Sequence, residues 1–174
     1  MTAPGVPIGL MASRWQESGL RWLWLSVLVV ILDQATKSWA GSALELYERV
    51  RLTPFLNLTL VHNPGAAFSF LSEAAGWQRW FFIALALAVG AGIVVWMRRI
   101  DYRDRLTAIG LALILAGALG NVIDRLQHGY VIDFIDFHHG RWHWPAFNAA
   151  DSAITIGAAL MILEALVGAR RPKV

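Results

Sequence analysis

The sequence contains no cysteine, so disulfide bonds, thiolate metal ligands and cysteine nucleophiles are all excluded. Charged residues are also scarce, at 16% of the 174 residues, against roughly 25% in an ordinary soluble domain. Apolar residues make up 57% of the chain. This composition is typical of a membrane protein, and the length suits one domain.

Several enzyme signatures are missing too. There is no His-Glu-x-x-His motif of a zincin-type site, no Gly-x-Ser-x-Gly nucleophile elbow and no phosphate-cradling glycine loop. His138, His139 and His143 lie in one segment and could bind a metal ion, but a solvated interfacial loop explains them more simply. We therefore predict no metal site.

Four apolar stretches are long enough to cross a bilayer, since about 20 helical residues span the roughly 30 Å hydrocarbon core. The predicted membrane-spanning helices cover about residues 21–41, 77–97, 106–126 and 149–168. The first stretch resembles a secretory signal, but it continues into Asp33-Gln-Ala-Thr-Lys37 without a convincing cleavage site. We therefore expect one domain over residues 21–168, between cytoplasmic tails at 1–20 and 169–174.

We expect little regular structure in the segments between the spans. Residues 50–61 show partial alternation of apolar and polar side chains, which favours a small β element on the far membrane surface. Residues 127–147 are expected to form a loop. The predicted fold class is an all-α membrane protein with four transmembrane helices and a small extracytoplasmic β element.

The basic residues are distributed unevenly along the chain. Counting Arg21 at the start of the first span with the N-terminal tail, this tail, the 98–105 loop and the C-terminal tail hold nine lysines and arginines, whereas the two opposite loops hold three. Because cytoplasmic loops carry the excess of positive charge, both termini are predicted to be cytoplasmic. The net charge of +3 does not indicate nucleic-acid binding, since the basic residues stand just outside apolar stretches.

Polar side chains converge near the outer ends of the predicted spans. At 1.5 Å per residue, Asp33 lies about 18 Å along the first span, and Asn121 and Arg125 lie about 22 and 28 Å along the third. Asp151 falls in the first turn of the fourth span, which runs back inward. Ionisable groups at membrane depth are costly, so they suggest a functional site.

Structural interpretations compete with this functional one. Asp33 and Lys37 are four residues apart with the acid first, which favours a helix ion pair. Asp124 is expected to lie off the helix face of Asn121, and an ion pair or a cap explains it better than catalysis does.

The remaining acids leave alternatives open. Asn148 suits the N-cap of the fourth span, so Asp151 could do no more than complete a capping box. Asp133 stands among large apolar residues, where a desolvated carboxyl group has a raised pKa. Asp136 could be the same kind of group, and nothing in the local sequence separates the two.

Two carboxyl groups that lie close together cannot both ionise readily, so they share one proton. One then acts as a general base on water, and the other donates a proton to the carbonyl group under attack. If Asp133 and Asp151 form such a pair, Asp151 at a helix start is nearer the base and Asp133 nearer the acid. These roles could be reversed, because such a pair titrates as a unit.

At five motifs the chain resembles the bacterial lipoprotein signal peptidases, or signal peptidase II, over about residues 20–168. The motifs are Leu32-Asp-Gln-Ala-Thr-Lys37, Asn63-Pro-Gly-Ala-Ala-Phe68, Gly117-Ala-Leu-Gly-Asn-Val-Ile-Asp-Arg125, Val131-Ile-Asp-Phe134 and Phe147-Asn-Ala-Ala-Asp-Ser-Ala153. They occur in the family's order, with four spans.

The resemblance implies an aspartyl endopeptidase of the bacterial inner membrane, with its site near the periplasmic face. It would cut prolipoproteins just before a cysteine that carries diacylglycerol, in contact with membrane lipid and without a cofactor. The cyclic peptide antibiotic globomycin would block it by occupying the two aspartates. One chain carries the whole expected site, so we expect a monomer.

The resemblance also assigns residues. The family's catalytic aspartates fall on Asp133 and Asp151. Its other pocket positions fall on Asn63, Asn121, Arg125 and Asn148, and Asp33, Lys37 and Asp124 match supporting positions. The small residues Gly65, Ala66, Ala67, Gly117 and Gly120 could leave room for a signal helix and acyl chains, or could simply allow close helix packing.

Two other functions use the same acids. A small transporter or proton-relay protein would need a polar path that continues inward, and the chain shows no inverted repeat. A non-catalytic scaffold would use its ion pairs only to fix helix packing. A peptidase instead requires both acids to face one water-accessible cleft.

Overall fold

A computed structural model describes residues 17–65 and 76–168 of the chain. The elements, in chain order, are a 3-10 turn at Gly19–Trp22, then α1 (Leu23–Ala43), β1 (Arg49–Thr53), β2 (Leu56–Asn63), α2 (Trp77–Met97), α3 (Arg105–Gln127), β3 (Val131–His139), β4 (Trp142–His143) and α4 (Ala149–Gly168). The expectations for tail residues 1–16 and 169–174, and for Ala66 and Ala67, lie outside the described residues.

Among the described residues, four helices are long and apolar enough to cross a membrane. They are Gly19–Ala43, Trp77–Met97, Arg105–Gln127 and Ala149–Val167. Each is built mainly from leucine, alanine, valine and isoleucine, and proline is absent from all four, so the helical hydrogen bonds run unbroken. The prediction of four helices able to span a membrane is confirmed.

Helix α3 is the centre of the helical bundle. Half of its most apolar stretch is buried inside the protein, against about a fifth in each of the other three helices. Those helices instead expose large apolar side chains, which is the surface that contact with lipid requires.

Glycine allows α3 and α4 to approach closely. A Cβ atom on Gly117 would collide with the backbone carbonyl oxygen of Ala150, and one on Gly157 would lie 2.6 Å from the carbonyl oxygen of Gly110. Small residues at such crossings let helix backbones pack together in a membrane. Gly117 therefore allows close packing of α3 against α4, which is one of the two roles considered for it.

The strands form one four-stranded antiparallel sheet in the order β1-β2-β3-β4. The β element predicted over residues 50–61 corresponds to β1 and β2, whereas the interpretation of residues 127–147 as a loop was wrong, because β3 and β4 lie there. In β3 both faces carry buried residues, among them Asp133 and Asp136, so the usual alternation of apolar and polar residues is missing. The fold is therefore four helices with a sheet, rather than an almost entirely helical one.

The close contact at Gly117 can be tested by substitution. We expect Gly117→Ala to destabilise the protein by about 1–3 kcal/mol, because the added methyl group has no room against α4. Thermal unfolding in detergent measures the change. Gly92→Ala in α2 is the matched control, since its Cβ would meet open space. Equal stability of the Gly117 variant and the parent would contradict the close packing.

Candidate active site

Strands β2 and β3 bring Asn63 beside Asp133. In the antiparallel register Asn63 is paired with Val131, two residues from Asp133, on the same side of the sheet. The Asn63 Nδ2 donates to Asp133 Oδ2 at 3.0 Å, and the Asn63 Oδ1 accepts from the backbone N–H of Gly65 at 3.1 Å. The turn after β2 therefore orients the amide that holds Asp133.

Asn148 joins Asp133 to the start of α4. Its Oδ1 accepts from the backbone N–H of Asp151 at 2.9 Å, as an N-cap residue does. Its Nδ2 donates to Asp133 Oδ1 at 2.7 Å and to the carbonyl of Ile132 at 3.1 Å. Asn148 is fully buried, so its amide links the strand to the helix start away from solvent.

The capping box at the start of α4 is present. Asp151 Oδ2 accepts from the backbone N–H of Asn148 at 3.3 Å, which completes the reciprocal pair. Its other oxygen, Oδ1, accepts from Asn121 Nδ2 on α3 at 2.8 Å. Asp151 therefore caps the helix and also contacts a second element, so the capping box does not account for all of its contacts.

A cleft of about 860 Å³ brings the two acids to one surface. Asp133 and Asp151 both line it, together with Asn63, Gly65, Asn121 and Arg125. Its other walls are mainly apolar and aromatic, from Val131, Phe137, Trp142, Trp144, Pro145, Ala146, Phe147, Ile154 and Ile156, with Ser152 and Thr155. A mostly apolar cleft with a few convergent polar groups is the usual form of a small-molecule or peptide site.

A buried ion network lies behind the cleft. The Lys37 Nζ lies 2.8 Å from Asp33 Oδ2 and 2.9 Å from Asp124 Oδ2, and it donates to Asn121 Oδ1 at 3.0 Å. The predicted Asp33–Lys37 ion pair is present. The expectation that Asp124 lies off the Asn121 face was wrong, because at a spacing of three residues both side chains reach the same ammonium group.

The network also secures neighbouring backbone. Asp33 Oδ1 accepts from the N–H of Ala150 at 2.8 Å, at the first turn of α4. Asp124 Oδ2 accepts from the N–H of Ile132 at 3.0 Å, beside Asp133. Gln34, which the sequence interpretation did not single out although it lies inside the first motif, donates to Asp124 Oδ1 at 2.9 Å.

Arg125 holds the turn that carries Gly65. Its Nη2 donates to the carbonyl of Gly65 at 2.8 Å, and its Nη1 donates to the carbonyl of Asn121 at 3.3 Å. The guanidinium group also lies 5.0 Å from the ring centre of Phe82 on α2. Arg125 therefore links three elements at the edge of the cleft.

Contacts with other parts of the chain shift the pKa values of Asp133 and Asp136 in opposite directions. Burial raises the pKa of Asp133 to about 7, the nearby charge of Asp151 adds to this, and hydrogen bonds from Asn63 and Asn148 oppose it. Burial also acts to raise the pKa of Asp136, but hydrogen bonds from Asn57 and His143 outweigh it and hold the pKa below its ordinary value. The suggestion that Asp136 could be the same kind of group was wrong.

His138 on β3 and His143 on β4 contact other groups of the protein. His143 Nδ1 lies 2.8 Å from Asp136 Oδ1, and the ring of His138 stacks on that of His143. Among residues 17–65 and 76–168, no group of three or more potential ligands is placed to hold a metal ion. The proposed role of these histidines is to fasten β4, whose Trp142 lines the cleft.

Comparison with known proteins gives consistent matches. A family model described as signal peptidase (SPase) II matches residues 25–167. The lipoprotein signal peptidase of Shewanella piezotolerans is 51% identical over 163 residues, which cover 94% of this chain and 96% of that protein. The lipoprotein signal peptidase of Yersinia enterocolitica is 55% identical over 151 residues, which cover 87% and 89%.

A solved structure also matches. It is a bacterial membrane enzyme determined by the in meso method at 2.3 Å resolution, with a TM-score of 0.79 and 32% sequence identity. The match covers 91% of this chain and 97% of that one.

The raised pKa of Asp133 predicts a pH dependence of stability. Between the ordinary value of 3.8 and about 7, the folded protein holds a proton on Asp133 that the unfolded chain has lost. Asp133 should therefore make the free energy of unfolding fall as pH rises through this window. Chemical unfolding of the parent and Asp133→Asn at several pH values measures it. The stability of the variant relative to the parent should improve with pH, and a constant difference would contradict the raised pKa.

Proposed function

The chain belongs to the signal peptidase II family of lipoprotein signal peptidases, and we propose that it removes signal peptides from prolipoproteins by an intramembrane aspartyl mechanism. Asp133 and Asp151 are the catalytic residues of this proposal. The cut falls on the N-terminal side of the diacylglyceryl-modified cysteine. One observation carries the proposal: both carboxyl groups line one cleft, and the buried amide of Asn148 ties Asp133 to the helix start that carries Asp151.

The proposed reaction uses the pair in opposite protonation states. Asp151, as a carboxylate, takes a proton from the water that attacks the scissile carbonyl carbon, while Asp133 donates its proton to the carbonyl oxygen. The tetrahedral intermediate then returns a hydroxyl proton to Asp133, and Asp151 passes its proton to the leaving nitrogen. The C–N bond breaks, and the pair regains its starting state.

The protein groups around the pair suit this chemistry. Asn63, Asn148 and Asn121 donate hydrogen bonds to the two carboxyl groups and so fix their positions. A pKa of about 7 keeps Asp133 substantially protonated near neutral pH, which an acid catalyst needs. Arg125 supports the Gly65 turn at the cleft edge.

The substrate, the membrane and the fold are also compatible. We propose that the apolar walls of the cleft receive the signal peptide next to its cut site and the diacylglyceryl group. A globomycin-type cyclic peptide would then compete for the same cleft. The complete pair lies in one chain, which is consistent with a monomer.

The positions of charge support a cytoplasmic location for both termini and a periplasmic location for the cleft. The cleft lies at the C-terminal end of α3 and the N-terminal end of α4. The C-terminal half of α1 is at the same end of the bundle, where Lys37 contacts Asn121. The opposite end carries Arg98, Arg99, Arg103 and Arg105, where a cytoplasmic surface has its excess of positive charge. We therefore propose an inner-membrane protein whose single domain spans residues 21–168.

The proton-relay alternative would need a chain of ionisable side chains leading from the site toward the other membrane surface. Residues 106–120 of α3 and 152–163 of α4, which lead from the site toward the other membrane surface, contain no ionisable side chain. The buried part of α3 there is mainly alanine, leucine and glycine. An aqueous cleft at one end of the bundle fits hydrolysis better than transport does.

Cleavage of a diacylglyceryl-modified prolipoprotein in detergent tests the proposal. We expect Asp133→Asn and Asp151→Asn each to lower the turnover rate by at least about 10²-fold, because each removes one acid–base partner. The shift of the product on a gel measures turnover. Asp136→Asn is the matched control, since Asp136 pairs with His143 outside the cleft lining.

Full activity of either folded dyad variant would rule out the aspartyl pair. A folded parent that never cleaves this substrate would rule out the proposed function as a whole. Thermal unfolding of each variant shows that it is folded.

The proposed orientation can be tested by cysteine labelling, because the parent has no cysteine that could react. Ser42→Cys lies at the cleft end of α1 and Arg99→Cys at the opposite end of the bundle, and both positions are exposed. In intact cells, a membrane-impermeant maleimide should label the first variant and not the second until the inner membrane is broken. The reverse pattern would contradict the orientation.

A further inference from the structure

Three asparagine side chains surround the two carboxyl groups, and each has its amide oxygen engaged elsewhere. Asn63 Oδ1 accepts from the N–H of Gly65, and Asn148 Oδ1 accepts from the N–H of Asp151. The oxygen of Asn121 accepts from Lys37 Nζ at 3.0 Å. An amide whose oxygen is held in this way must turn its NH₂ group toward the remaining partner, here a carboxylate oxygen.

The anchor of Asn121 differs in kind from the other two. The oxygens of Asn63 and Asn148 accept from neutral backbone N–H groups. The oxygen of Asn121 accepts from the positive charge of Lys37 at 3.0 Å and, at the longer distance of 3.5 Å, from Asn148 Nδ2. An ammonium group has only donors, so it can face only the oxygen of the amide and never its nitrogen. It also polarises the amide, which makes the Nδ2–H that faces Asp151 a stronger donor.

Lys37 is itself fixed in this role. It is about 1% exposed, and its three N–H groups have three acceptors at 2.8 to 3.0 Å, namely Asp33 Oδ2, Asp124 Oδ2 and Asn121 Oδ1. An ammonium has no fourth hydrogen to offer, so the arrangement is saturated. Displacement of the ammonium nitrogen would break a bond to a buried carboxylate, which is costly away from water.

We propose that Lys37 is a positioning residue which acts through Asn121 to hold Asp151 as the unprotonated member of the pair, so that the shared proton resides on Asp133. The inference rests on the proposed function, and it gives a structural reason for the assignment of Asp151 as the base and Asp133 as the acid. Lys37 does not line the cleft and is not assigned any contact with substrate.

The charges around the pair are consistent with this assignment. Lys37 and Asp33 reach it from α1, Asp124 and Arg125 from α3, and the acids themselves lie on β3 and α4. Arg125 donates to the carbonyls of Gly65 and Asn121, so Lys37 is the cation whose hydrogen bond passes through an amide to Asp151.

A double-mutant cycle tests the inference in an Asp124→Asn background. The double variant with Lys37→Met lacks one positive and one negative charge, so the net charge of its network equals that of the parent. Relative to the parent, we expect the kcat of the double variant to fall about 10²-fold, with KM changed much less, and Asp124→Asn alone shows how much of the loss comes from Asp124. The acidic limb of the pH–rate profile should move to higher pH, because the Asn121 amide, no longer oriented and polarised by Lys37, stabilises the carboxylate of Asp151 less.

Asn121→Leu closes the cycle. With Asn121→Leu in place, Lys37→Met should cause no further loss of kcat, since its effect passes through the amide. Independent, multiplying losses would mean that Lys37 acts structurally and would overturn the inference. So would an unchanged kcat and an unchanged acidic limb on removal of Lys37.

The experiment separates this inference from the function on which it depends. If the parent and Asp124→Asn both cleave prolipoprotein, the proposed function holds whatever Lys37→Met does. If Lys37→Met fails to fold, Asn121→Leu with Lys37 intact carries the test, and its acidic limb should show the same shift. An unmoved limb in that variant would overturn the inference.

Discussion

A buried ammonium group in a membrane protein must have every hydrogen matched, and this requirement on Lys37 organises the structure. Its three acceptors come from α1 and α3, and each of them makes a further bond outward. Asp33 extends the network to the backbone of α4, Asp124 to the backbone of β3, and Asn121 to Asp151. Two helix ends, a helix start and a strand are thus positioned by one charge, and an unpaired partner would be costly at this depth.

Much of the fold could be predicted because lipid imposes a simple rule on length and composition. The four spans follow from it, and the Asp33–Lys37 pair follows from helical spacing. Strand β3 could not be recognised from the sequence, because it has buried residues, including two acids, on both faces of the sheet. Its sequence therefore lacks the alternation of apolar and polar residues that indicates a strand. Asp133 and Asp136 are three residues apart, so recognition of the strand would have placed them on opposite faces at once.

The contacts at the candidate site required the tertiary structure. Nothing near Asp136 in the sequence indicates Asn57 or His143, which are 79 residues before it on β2 and 7 residues after it on β4. The same is true of the amide of Asn148, which reaches Asp133 only because α4 begins beside β3. Sequence motifs identified most of the residues of the candidate site. The orientation of each side chain depends on which of its oxygen atoms already accepts a hydrogen bond, and only the tertiary structure shows this.

The cleft wall formed by α4 has a consequence for kinetics. Ile156 lines the cleft and is also 54% exposed on the apolar surface of α4. In the proposed membrane orientation, the cleft would therefore open toward the bilayer as well as toward water. A substrate anchored in lipid would arrive by lateral diffusion in two dimensions. Its effective concentration is then a mole fraction in the membrane, so added lipid or detergent dilutes the substrate while the volume of the solution stays the same.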